Sequence, residues 1–174
     1  MNKTVVTSAI IAFVLLIGGM AYVKYGNFNE IQPTIVEEEA FKLVGKEYKG
    51  KVTDEELTEM LDEVYMAINS HKLEGKLVIC YDGNPDQDKS DVKVFAGVLA
   101  KGSQLEAEGF EVKELPAYKA VSVNVDVSSM FAPNPANINK KLKEFAEKQQ
   151  ISLKDIYLEK YISDKEIRNE IIVK

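Results

Sequence analysis

Between Thr53 and Lys72 the apolar residues Leu57, Leu61, Val64 and Ile68 recur at steps of four, three and four, the stripe of an amphipathic helix. Thr53 and Glu56 stand at the spacing of a capping box, Asp54 and Glu55 suit the first turn of a helix dipole, and Gly75 is the expected stop. The period then changes. KLVICYD (76–82) is a short apolar run, the turn-rich GNPDQDKSD follows, and VKVFAGVLA (92–100) is a second run, giving strand, loop, strand. The second half repeats this order. FEVKELPAYKAVSVNVDV (110–127) alternates through Val121, Val123 and Val125, and Asn137 to Gln149 places Ile138, Leu142, Phe145 and Ala146 on one helical face. DIYLEKYIS (155–163) and IRNEIIVK (167–174) read as two closing strands. With IVEEEAFKLVGKEYKG (35–50) as the opening strand of the first half, strand-helix-strand-strand occurs twice. KLVICYDGNP and DIYLEKYISD each carry a tyrosine near the strand end and an aspartate soon after it. The expected fold is α+β: a mainly antiparallel sheet with both helices on one face and the other face free to form a ligand cleft.

Ahead of these elements, residues 4–23 (TVVTSAIIAFVLLIGGMAYV) contain no charge and as a helix match the ~30 Å hydrocarbon core of a bilayer. Lys3 and Lys24 bracket the stretch, and Tyr22 and Tyr25 sit where interfacial aromatics are favoured. A cleaved signal peptide is the competing reading, but its apolar region is usually shorter. The organisation expected is a tail (1–3), a single-pass transmembrane anchor (4–23), a polar tether (24–33) and a folded domain (34–174), with the domain on the outer side of the membrane.

Composition narrows the chemistry. Lys3 and Lys24 are the only cations before the first acidic residue, Glu30, so from there on the chain carries 20 basic against 28 acidic residues, a net of −8. Such a surface repels phosphate, and no basic stripe interrupts it, so nucleic acid is not an expected partner. One cysteine, Cys80, and one histidine, His71, exclude an intrachain disulfide and a His/Cys metal cluster. Cys80 reads as a small buried hydrophobe and His71 as a complement to a helix dipole. No nucleophile-elbow, Walker, dinucleotide or metalloprotease pattern occurs, so no metal, cofactor or enzyme class is indicated.

What remains is polar residues on strands. Alternation in RNEIIVK groups Arg168, Glu170 and Ile172 on one face, and a carboxylate in a β-branched closing strand is a candidate ligand contact. On DIYLEKYIS, Tyr157, Glu159 and Tyr161 share the face opposite Ile156, Leu158 and Ile162. Rings and a carboxylate together make a place for an apolar cation. Tyr81, Phe95, Tyr118, Met130 and Phe131 are further candidates. For each of these, solvated or packed side chains are the commoner outcome.

FEVKELPAYKAVSV and the carboxy-terminal YISDKEIRNEIIVK resemble the GyrI-like small-molecule-binding domain, the effector-binding domain of some AraC-type and multidrug-responsive regulators. In that family's closing pattern a tyrosine, an aspartate and a threonine-glutamate-isoleucine strand correspond here to Tyr161, Asp164 and Asn169-Glu170-Ile171, with Asn169 in place of the threonine. CYDGNP resembles the family's tyrosine and proline-containing loop. The resemblance implies that Glu170 is the acidic contact in a ligand cleft, with Tyr161 and Tyr81 as aromatic supports. Tyr157 and Phe131 complete the set of ligand-binding candidates. Regulators of this type carry a helix-turn-helix, for which the first 33 residues leave no room. Three readings follow, in order: a membrane-anchored module binding a partly apolar, cationic small molecule; a domain whose cleft is filled by side chains and which docks a membrane protein; and a hydrolase using Glu170 as general acid/base.

Overall fold

The computed structural model describes residues 32–87, 91–100, 107–128 and 132–174. The expected anchor, Met130 and Phe131 lie outside them, and among the described residues no helix is long and apolar enough to cross a membrane.

Each half opens with a strand that is broken in two. β1 (Thr34–Glu38) and β2 (Phe41–Lys51) replace the single strand expected over 35–50. β5 (Glu111–Leu115) and β6 (Tyr118–Asp126) replace the one expected over 110–127, with the break at Pro116, which has no amide hydrogen to continue a ladder. The first half continues with α1 (Glu55–Asn69), β3 (Leu77–Asp82) and β4 (Asp91–Leu99). The second continues with α2 (Pro135–Lys148), β7 (Leu153–Ser163) and β8 (Glu166–Val173). The eight strands among the described residues form one antiparallel sheet in the order β1-β6-β8-β7-β3-β4-β2-β5. From the central β3/β7 pair outward, β3-β4-β2 is matched by β7-β8-β6, so the repeated order becomes an approximate two-fold. Each half lends its first strand to the other, β1 to β6 and β5 to β2.

That exchange forces curvature. β1 lies at one border of the sheet and β2 next to the other, a span of ~29 Å if the strands lay flat. Yet Glu38 and Phe41 are separated by three Cα steps, at most ~11 Å. The sheet therefore curls until its borders meet, and the rings of Phe41 and Tyr118, which open β2 and β6, pack edge to face with centroids 6.1 Å apart. The helix-free face becomes the inner one, with Leu43, Val78, Cys80, Phe95, Leu115, Leu158 and Ile172 buried together.

Both helices lie on the outer face. α1 buries Leu57, Met60, Val64 and Ala67 against Val44, Ile79, Val94 and Val98, and α2 buries Ile138, Leu142 and Ala146 against Val121, Val123, Val125 and Ile171. Two boundaries depart from expectation. Asp54, not Thr53, is the N-cap of α1, and its carboxylate accepts from the Tyr48 hydroxyl (2.7 Å) and the Lys51 amide (3.0 Å) instead of from the first helical turn. The helix ends before Gly75, because His71 adopts φ 59° and turns the chain back on itself, its amide donating to the Ile68 carbonyl (3.1 Å). His71 is thus a backbone turn residue of the left-handed type.

Candidate functional site

The strand register decides which polar residues meet. Tyr81 on β3 lies opposite Tyr157 on β7, Ile79 opposite Glu159, and Tyr157 opposite Ile171 on β8. All of these side chains occupy the helix-bearing face. α1 packs chiefly over β2 and β4 and α2 over β6 and β8, so the central β3/β7 strip forms the seam between the helices. Tyr81 packs against the cores of both helices, and Tyr161 against that of α1.

Glu159 stands in this seam, half-buried, with Tyr81 and Tyr161 close enough to feel its charge. Burial, and secondarily the charge of Asp86, pushes its carboxyl up to about 6. Among the described residues no cation forms an ion pair with it. Burial likewise raises the hydroxyls of Tyr81 and Tyr161, so both remain protonated donors at neutral pH. One end of the seam is closed by Asp86 from the loop after β3, which accepts from Asn139 Nδ2 (3.2 and 3.3 Å) and lies 3.8 Å from Lys143 Nζ. The Lys143 ammonium also sits 5.1 Å from the Tyr157 ring centroid. Half-buried aromatics around an unneutralised carboxylate attract a cation with apolar substituents, through charge and ring quadrupoles together.

Glu170 does not belong to this constellation. Its register partners are Leu158 and Ser122, which puts it on the inner face, opposite to Tyr81, Tyr157 and Tyr161. It is 1% exposed, and its Oε2 accepts from the Tyr118 hydroxyl (2.7 Å) and pairs with Lys160 Nζ (3.0 Å). Lys160 also pairs with Glu38 (3.0 Å), whose other oxygen lies 3.4 Å from Arg168. The expected single cluster of Glu170 with three tyrosines therefore divides between two faces, because residues 161 and 170 have opposite parity relative to the sheet. The inner face does carry a pocket, of about 360 Å³, lined by Thr34, Val36, Ser122, Asn124 and Arg168 among others. It opens beside β1, away from the tyrosines. Phe131 lies outside the described residues. Among the described residues no group of His, Cys, Asp or Glu is arranged to hold a metal ion.

Two features of the site are only faintly marked in the sequence. The sequence groups Glu159 with its tyrosine neighbours but favours Glu170 as the charged contact, although a carboxylate in the middle of a β-rich strand is itself a sign of burial. Lys160 interrupts the apolar Ile156-Leu158-Ile162 face, and a lone charge on such a face signals a buried partner.

Neither a family model nor a curated protein matches the chain. Solved structures match its fold. The EcmrR C-terminal domain superposes with a TM-score of 0.59 at 13% identity, covering 83% of this chain and 98% of that one. SAV2435, solved bound to tetraphenylphosphonium, gives 0.52 at 12% identity over 82% of this chain and 94% of that one. A hydrolase from Listeria innocua gives 0.56 at 10% identity over 88% and 98%. At these identities the likeness establishes a shared fold.

Proposed function

We propose that the chain is a membrane-anchored small-molecule-binding module of the GyrI-like effector-binding type, which takes a partly apolar cation in the seam between α1 and α2. The observation that carries the reading is the half-buried Glu159 carboxylate, raised to about 6 and without a cationic partner among the described residues, beside Tyr81 and Tyr161. Supporting it are the family-like order of elements and the shared fold with SAV2435, a protein solved with a lipophilic cation bound. Tyr157 and Tyr81 form one wall, and Glu159 supplies the charge. Tetraphenylphosphonium is the probe of choice for the full-length chain, read by quenching of tyrosine fluorescence and by calorimetry. Saturable binding is expected above about pH 6 and should weaken as the pH falls through that value, because protonation removes the carboxylate's charge. Binding that ignores pH across this range would remove Glu159 from the site.

Anchoring rests on the uncharged run of residues 4–23 and its flanking lysines. The full-length protein is expected to stay with membranes through carbonate extraction, and a variant carrying Leu15→Lys and Leu16→Lys to be released. Extraction of both alike would end this part of the reading.

Hydrolysis is the second reading. A carboxyl near 6 in a half-buried site suits general acid/base work, and the Listeria hydrolase shares the fold. Turnover of a bound ligand, absent after Glu159→Gln, would favour it over binding alone.

A further inference from the structure

On the inner face, Lys160 occupies a setting that the seam does not use. It is only 7% exposed, and its ammonium lies 3.0 Å from Glu170 Oε2, 3.0 Å from Glu38 Oε2, 5.3 Å from the Phe41 ring centroid and 5.4 Å from that of Tyr118. These four partners come from β8, β1, β2 and β6, so strands at or next to both borders of the curled sheet converge on one charge carried by its central strand.

Two carboxylates and two ring faces around a single ammonium have the composition of a cation cage. One acid is enough to neutralise a buried ammonium, and here a second carboxylate and two ring faces add their attraction to the same charge. The cage is also not fully used: Glu170 Oε1 is buried and has no hydrogen-bond partner. Nor does the sheet architecture require it. Four residues beyond the strand-opening Phe41 and Tyr118, the register pairs Gly45 with Gly97 in one half and Ser122 with Glu170 in the other. At this position the first half keeps the same backbone with glycine in place of the acid, so a buried carboxylate here is a feature of one half only.

We infer that the inner face is a binding site for a primary ammonium ion, occupied in this chain by its own Lys160. Glu170 is thereby withheld from outside cations, and shortening Lys160 opens the site to a small alkylammonium ion. The inference concerns the inner face alone and stands or falls independently of what binds at the seam.

The test uses full-length Lys160→Ala with n-propylammonium, which replaces the deleted Cγ-to-Nζ fragment, and 1-propanol as the neutral match. The variant's Tm should fall, and n-propylammonium should restore it saturably, at concentrations about tenfold or more below any effect of propanol. The wild type should respond to neither. Where the variant does not fold unaided, refolding in the two additives gives the same comparison. Adding Glu170→Gln to Lys160→Ala removes the orphaned charge, and the amine effect should vanish in that protein. Rescue equal in amine and alcohol, rescue that survives Glu170→Gln, or no amine-specific rescue in either folding or Tm would each overturn the inference.

Discussion

Gly45→Ala is expected to lower Tm by on the order of 10 °C, corresponding to more than the ~1–3 kcal/mol of ordinary overpacking. Gly45 and Gly97 face each other in the β2/β4 ladder on the inner side of the curl. A Cβ on Gly45 would stand 2.5 Å from the Gly97 Cα and closer still to the Ala96 carbonyl oxygen, and one on Gly97 would stand 2.8 Å from the Val44 carbonyl carbon. The obstacles are backbone atoms, so no rotamer change relieves them, and β2 must move away from β4. That movement would disturb the closure that places Phe41 against Tyr118 and Lys160. Thermal and urea denaturation, with Gly97→Ala as a companion, check the expectation. A Tm within ~2 °C of wild type would mean that the glycine pair does not set the curl.

Glu159→Gln is expected to make the protein more stable while removing its affinity for an apolar cation. In the folded chain burial holds this carboxyl near 6, against 4.5 for an unperturbed glutamate. A carboxyl raised by folding binds its proton more tightly in the native state, so it favours folding at low pH. The wild type therefore loses stability as the pH rises between 4.5 and about 6 and stays penalised above that. The shift corresponds to at most about 2 kcal/mol, reduced by solvent screening at a half-buried position. The glutamine variant should melt higher than wild type at neutral pH, with the difference closing below the unfolded value. For tetraphenylphosphonium, which has no hydrogen to donate, losing the carboxylate's Coulomb attraction, ~1.5–3 kcal/mol at roughly 6–11 Å and an effective dielectric of about 20, weakens binding by about 10- to 150-fold. Greater stability with lost binding is what a strained, functional carboxylate predicts, whereas a structural one would lose both. Equal or lower stability at neutral pH, with binding intact, would count against the seam as a site.

Read without coordinates, the chain yields its elements because local periodicity carries them. Val64 and Leu142 lie on stripes that recur at helical spacing, and both are fully buried under their helices. The alternation around Val121, Val123 and Val125 likewise sends those side chains to the helix-bearing face. Even the separation of Tyr161 from Glu170 rests on parity, which is local, but parity has meaning only once the two strands are in register. That register is set by long-range pairing, in which one residue of slip reverses every side chain. The uncharged run of residues 4–23, read as an anchor from composition alone, lies outside the described residues.

The exchange of β1 and β5 between halves could not be read from the chain, because two-residue links such as Glu39-Ala40 look the same whether the strand continues or crosses the sheet. Nor could the choice between Glu159 and Glu170. Both are glutamates in β-rich strands, and only the curl, by bringing Phe41, Tyr118, Glu38 and Lys160 together, neutralises one while leaving the other in the seam. Sequence thus determined the elements and the sheet's helix-bearing face, since these depend on neighbours three or four positions apart. Tertiary structure decided which acid is free, since that depends on a cation contributed by a different strand and on borders that meet only when the sheet closes.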